Sequence, residues 1–289
     1  MTKLSLRHTD DEMTKLIDDR LAKQFPDMLS RNFWPDTLYF DNIHNAWGLL
    51  KSTKGYSSEF KLQSYLYWQY REKSAIALAA ASSWYGGDYV EFGSHDLYTL
   101  RNFLSAYDLS GLDKAWPDTR FYGFDIFGKI ASDNPMTLRS IEHLRRYFDH
   151  FTERGDLYAE HVRKLQEHDL YLDRYSLIQG FFQDTVPPFK ENYKKDGRKI
   201  GFALLDVNTT ESYELTFGYI FDLMAERSYI YMDEYFQNYA VITLFEDFRK
   251  RLLQERNMDC TYVRSCAALG ALFLLHPVWD RSRPGLASG

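Results

Sequence analysis

Acidic side chains recur in this chain at the ends of short apolar runs. Asp125 closes FYGFD, Asp206 closes IGFALLD, Asp233 and Glu234 follow YIYM, and Glu91 stands just before Phe92-Gly93 in YVEFGSHDLYTL. Runs of β-branched and aromatic residues of this length read as buried strands. The acids therefore emerge near the carboxyl ends of strands, where open parallel sheets bind their ligands. Asp206, Asp233 and Glu234 offer hard oxygen ligands of the kind that suits Mg²⁺, helix caps and solvated loop ends being the other use of acids in such places. Asp125 could accept hydrogen bonds from both hydroxyls of a ribose, or cap a helix after the strand.

Gly93 adds a second kind of chemistry. A residue without a Cβ at a strand-to-helix turn lets the backbone approach a ligand, and the amides of the next helix's first turn point at it. Glu91 beside that turn suits an amino or hydroxyl partner rather than a phosphate. A dinucleotide fingerprint needs two further glycines where His95, Asp96 and Tyr98 stand, so a nucleotide-binding oxidoreductase is disfavoured. His143, His150, His161 and His168 do not make a metal site: no two lie three or four apart on one helical face, and solvent exposure explains them.

The elements that must carry these residues alternate between strand and helix. The predicted strands are Tyr89 to Phe92, Arg120 to Asp125, Tyr175 to Gln179, Ile200 to Asp206 and Ser228 to Met232. Tyr262 to Val263 and Ala271 to Leu275 pair as a terminal hairpin across Leu269-Gly270. Helical spacing covers Asp10 to Gln24, Phe60 to Trp84, Asp96 to Leu104, Met136 to Phe151, Asp156 to His168, a stretch from Asn208 to Glu226, and Asn238 to Glu255. Asp108 to Pro117 reads as a loop, and GFFQDTVPPF from Gly180 as a turn. The expected architecture is α/β: a Rossmann-like, mostly parallel seven-stranded sheet with helices on both faces and an antiparallel C-terminal hairpin. An N-terminal helical lid region (1–84) precedes the main domain (85–280), which carries a helical insertion (131–170) and ends in a tail (281–289).

At 289 residues, 45% of them hydrophobic, the chain can build one large core. With 22 Tyr and 21 Phe, half-wet surfaces such as a ligand cleft or a subunit contact are expected, and with them a homo-oligomer. A formal net charge of −6 argues against nucleic acid as a partner, because such binding is driven by neutralising phosphates. The basic cluster Lys194, Lys195, Arg198 and Lys199 reads as a solvated loop. No apolar run approaches the ~20 residues of a membrane span, and Met1 to Asp19 lacks the signal-peptide pattern, so a cytoplasmic protein is expected. Cys260 and Cys266 form no CxxC pair and read as reduced thiols.

In order along the chain, VEFGSHDLYT, FYGFDIFG, LIQGFFQDTVP, LLDVNTTES and YIYMDEY resemble the motifs of class I S-adenosylmethionine-dependent methyltransferases. Within that superfamily they are similar to the macrocin O-methyltransferase-like group, whose versions look like VEFGVxxGxS, GFDSFEGLP, GxFxDTLP, DxDLYEST and IxxDDY. The resemblance implies S-adenosyl-L-methionine as cofactor and a hydroxyl of a small molecule, such as a sugar or glycosylated secondary metabolite, as acceptor. It places Glu91, Gly93, Ser94 and Thr99 at the methionine end of the cofactor, Asp125 on the ribose, and Gly180, Phe181 and Phe182 against the adenine. Asp206, Asp233 and Glu234 fall on the family's divalent metal ligands, with Asp206 also beside the cofactor. The chain departs from the pattern at Leu97, where the family has a glycine, and at Asn208, where it has a proposed general base. An amide cannot take a proton, which leaves Asp206, His95 or metal-activated water for that role. Asn208 also motivates an alternative, a relative that keeps the fold but serves as a binding or assembly partner.

Overall fold

A computed structural model describes residues 80–81, 84–94, 97–127, 157–207, 209–233, 235–236, 239–266 and 270–278. Residues 1–79, with the Asp10 to Gln24 helix and most of the Phe60 to Trp84 helix, whose described part is helical at 80–81 and not at Trp84, the Met136 to Phe151 helix and the tail lie outside the described residues, as do His95, Asn208 and Glu234. The strands are β1 (Asp88–Phe92), β2 (Phe121–Asp125), β3 (Tyr175–Gln179), β4 (Ile200–Leu205), β5 (Met224–Met232), β6 (Met258–Cys266) and β7 (Gly270–Pro277). They form one sheet in the order β3-β2-β1-β4-β5-β7-β6. β1 to β5 run parallel, and β7 is antiparallel to both of its neighbours, as the apolar runs predict.

Two-residue alternation divides each central strand between two cores. Val90, Phe92, Ala203 and Leu205 face helices α4 (Phe182–Lys195), α5 (Thr210–Ile220) and α6 (Tyr239–Arg256). Tyr89, Phe202 and Leu204 face the other side, under α1 (Tyr98–Leu109), α2 (Leu112–Ala115) and α3 (Leu157–His168). β1 and β4 are buried at every position, which explains why β4 reads as a continuous apolar run and why the two acids within β1, Asp88 and Glu91, need hydrogen-bond partners. Among the described residues no helix is long and apolar enough to cross a membrane.

Several sequence expectations are corrected. The helix after Asp206 stops at Ile220 rather than Glu226, and β5 begins at Met224. Ile220, Phe221 and Leu223 are buried at this corner, and Arg256 donates to the Phe221 and Met224 carbonyls, so the chain can turn there without orphaned acceptors. The predicted loop at Asp108 to Pro117 contains the end of α1 and all of α2. The predicted turn at GFFQDTVPPF is mostly helix: Phe181 is the N-cap, and Pro187 and Pro188 lie inside α4. Each proline removes an amide donor to the residue four before it. Gln183 and Asp184, which lose those donors, are solvent-exposed, so water replaces the bonds.

His161 is buried against the Phe127 ring, not solvent-exposed, and His168 Nε2 sits 3.0 Å from Ser105 Oγ. Both cysteines lie on β6, so they are not on paired strands. Burial pushes the Cys260 thiol up to about 12.

Of the basic cluster, Lys194 and Lys195 end α4, whereas Arg198 is built into the sheet's lower edge. Its guanidinium forks onto buried Asp88 at 2.7 and 2.5 Å. The same carboxylate accepts from Tyr193 Oη at 2.6 Å and from the Arg120 amide at 2.8 Å. Asp88 thus ties β1 to β2, α4 and the approach to β4. Asp88→Ala strands these donors, and losing one partner of a buried pair costs about 3 to 5 kcal/mol. Arg198 is partly solvated, which favours the lower end. The expected result is a fall in melting temperature of roughly 6 to 12 °C. Calorimetric melting checks it, and a shift within 1 to 2 °C of wild type, roughly what 0.5 kcal/mol produces, would show that Asp88 does not hold the edge together.

Candidate active site

The site is assembled by one row of backbone hydrogen bonds along the carboxyl ends of the parallel strands. Gly180 N–H donates to Asp125 O at 3.0 Å, Gly93 N–H to Phe124 O at 2.8 Å, Asp206 N–H to Phe92 O at 2.9 Å, and Asp233 N–H to Leu205 O at 3.0 Å. Each donor is the first residue beyond its strand, so residues spread over more than 140 sequence positions share one rim. The middle of that rim lies between β1 and β4, where strand order reverses and a crevice opens.

Gly93 and Asp206 touch across this crevice. Gly93 has φ +85°, and an added Cβ would lie 1.9 Å from the Asp206 carbonyl oxygen. No other residue type fits there. Beyond it, Leu97 caps α1 with φ 61° in the left-handed region and offers no side-chain acceptor to the helix's first turn. Leu97 thus keeps the backbone geometry expected of a glycine. The left-handed strain, about 1 kcal/mol, is offset by its complete burial among Leu100, Phe103 and Leu104. Thr99 is buried in that first turn, where amides and helix dipole favour an anionic group. Ser94 is buried too; its Oγ lies 3.3 Å from Glu91 O and stands where a side chain at position 123 would collide.

Glu91 is 2% exposed and faces the α1 side, where the Tyr89 hydroxyl donates to its Oε2 at 2.5 Å. Burial first, and the charges of Glu91 and Asp206 next, push the Tyr89 phenol well above its ordinary range, so it stays a donor. On β5 the pattern repeats, with Tyr231 Oη donating to Asp233 Oδ1 at 2.6 Å. Gly270 leaves the room that this phenol occupies: a Cβ there would lie 2.3 Å from Tyr231 Oη. Asp125 Oδ1 accepts from the Phe127 amide at 2.9 Å, closing a turn at the end of β2. Next to it Gly180 turns with φ +140° into Phe181 and Phe182, and Phe182 packs edge-on against Phe92 at 5.7 Å.

The structure thus brings Glu91, Gly93, Ser94, Thr99, Asp125, Gly180, Phe181, Phe182, Asp206 and Asp233 to one rim or to the first turn beyond it. The expected third acid of a metal set, Glu234, lies outside the described residues, as do His95 and Asn208. Among the described residues no group of three or more His, Cys, Asp or Glu is placed to hold a cation. The two tyrosines were missed from sequence. The signal was available, since residues two apart on a strand share a face, and Tyr-Val-Glu and Tyr-Met-Asp put a phenol beneath each acid.

Among solved structures the chain is similar to the O-methyltransferase NovP, with a TM-score of 0.51 at 15% identity, over 72% of this chain and 81% of that one. The two share one fold. Similarity extends at lower TM-scores to the calicheamicin methyltransferase CalS11 (0.44, 16% identity, 82% and 91% covered) and to TomG of Streptomyces achromogenes, an O-methyltransferase of tomaymycin synthesis (0.45, 11%, 94% and 100%). No family model matches the sequence, and no curated protein does.

The rim carries groups that complement the two charged ends of an amino acid. A buried carboxylate at Glu91 complements an ammonium, the uncapped first turn of α1 complements a carboxylate, and the missing Cβ of Gly93 lets the backbone of Asp206 close directly against the turn between them.

Proposed function

We propose that this protein is an S-adenosyl-L-methionine-dependent O-methyltransferase whose acceptor is a hydroxyl of a small molecule, a sugar or a glycosylated secondary metabolite. The observation that carries this reading is the apposition of Gly93 and Asp206 at the reversal of strand order. It supports the reading because the turn proposed for the cofactor then lies against the backbone of a residue that carries a rim carboxylate.

Bound there, the cofactor would supply an electrophilic methyl group on its sulfonium. Glu91, Gly93, Ser94 and Thr99 hold its amino-acid end, Asp125 its ribose and Gly180 to Phe182 its adenine. Transfer to an oxygen is an in-line displacement, so the chain must orient the acceptor and remove its proton. Asp206, half-exposed beside Gly93, is the described carboxylate placed for the proton. Asp233 stands one strand further along, its Oδ1 fixed by Tyr231.

Calorimetric titration with S-adenosyl-L-homocysteine tests the reading. Saturable one-to-one binding is expected, followed by methyl transfer to members of a panel of free sugars and glycosylated aglycones. Absence of binding by wild-type protein would refute it. The same titration with Mg²⁺ tests Asp206 and Asp233 as metal ligands: an affinity gain lost in Asp233→Ala supports that role, and no gain removes it.

A further inference from the structure

Tyr89 is a tyrosine with no part in the methyltransferase resemblance, yet it is fixed by packing and by a hydrogen bond beneath the turn. It is fully buried on the α1 side of the sheet. Its ring lies 4.3 Å from Phe103 of α1 and 5.5 Å, nearly parallel, from Phe202 of β4. Clamped between two aromatic rings, the phenol is held with its hydroxyl pointing along β1 to Glu91. A buried carboxylate with a flexible stem needs such a partner, both to offset its desolvation and to select one rotamer. Glu91 therefore lies buried beside the turn with its Oε2 anchored by the phenol.

We propose that Tyr89 is a positioning residue for cofactor recognition, holding the Glu91 carboxylate where it meets the ammonium group of the cofactor's amino-acid end. The inference rests on the methyltransferase reading and deepens it: discrimination for the amino-acid half of the ligand comes from a phenol that does not touch the ligand. It predicts a loss confined to ligands that carry that half. 5′-Methylthioadenosine shares the adenosine and the sulfur of S-adenosyl-L-homocysteine but lacks the amino-acid group, and it is the internal control.

The experiment is calorimetric titration of wild-type and Tyr89→Phe protein with both ligands. Removing a hydrogen bond to a charged group predicts about a 10-fold weaker affinity for S-adenosyl-L-homocysteine, with the affinity for 5′-methylthioadenosine unchanged. In a Glu91→Gln background the Tyr89→Phe effect should disappear, since the phenol acts only through that carboxylate. Tyr193→Phe removes a buried tyrosine-carboxylate bond at the opposite edge of the sheet and should leave both affinities unchanged. Equal losses for both ligands would place Glu91 on the ribose or make Tyr89 merely structural, and unchanged affinities would leave Tyr89 without a role; either overturns the proposal while the cofactor reading stands. If wild type binds neither ligand, both fall together.

Discussion

Gly93→Ala should abolish cofactor binding and destabilise the sheet together. The new methyl group would sit 1.9 Å from the Asp206 carbonyl oxygen, a backbone atom held by neighbours on both sides. Neither strand can give way alone, because the Asp206 amide is bonded to Phe92 O and the Asp233 amide to Leu205 O. Overpacking of this kind costs about 1 to 3 kcal/mol, and placing a non-glycine residue at φ +85° adds about 1 kcal/mol. β1 and β4 must part at the one place where the ligand turn requires them together. Affinity for S-adenosyl-L-homocysteine should fall more than about 100-fold, far beyond the stability loss in consequence, because any 1 Å displacement here is felt directly by the ligand. Gly218→Ala is the contrasting substitution. Gly218 lies in α5 with open space around a built Cβ, so alanine should stabilise by about 0.5 to 1 kcal/mol and leave binding unchanged. Melting curves and titrations of the two variants, measured side by side, check both halves; Gly93→Ala protein with wild-type affinity would mean that the turn is not the ligand's.

The second large effect is expected at Asp206. Truncation to alanine leaves its backbone, and therefore the contact with Gly93, in place, but removes a half-exposed carboxylate at the rim. If that group takes the acceptor's proton, turnover should drop by about 10² to 10⁴-fold, while affinity for S-adenosyl-L-homocysteine changes by less than about 10-fold, roughly one exposed polar contact. Asp233→Ala should lower turnover less, since Asp233 follows β5, one strand beyond the β1–β4 crevice, and its carboxylate is already tied to Tyr231. Rates are to be measured at saturating cofactor with an acceptor from the panel. Unchanged turnover in Asp206→Ala would move the proton transfer to another group, and a collapse of cofactor affinity with preserved turnover would reassign Asp206 to binding.

Much of this geometry was legible before any coordinates. A parallel strand covered on both faces is mostly apolar, so β4 and the apolar part of β1 show themselves within a residue of their true ends, the edge strand β3 is found by its flanks, and the acids at their ends fall on the rim. The ordered motifs then told which acids belong together. Local pattern also failed where a distant partner decides the outcome. α5 ends early because Arg256 satisfies the Phe221 and Met224 carbonyls, and α4 runs through Pro187 and Pro188 because the carbonyls they leave unbonded face water.

What the amino-acid order determined by itself, then, is the set of strands and the chemistry at their carboxyl ends, because two-residue periodicity and an apolar run are local properties. Only the tertiary structure decided that Gly93 must be glycine on account of Asp206, that Leu97 takes a left-handed turn to bury its side chain, that Arg198 belongs to Asp88 rather than to solvent, and that Glu91 and Asp233 each rest on a phenol. The first three depend on contacts made across the fold. The phenol beneath each acid could be read from the strand period, but its fixed direction comes from the rings and the glycine packed around it by other elements.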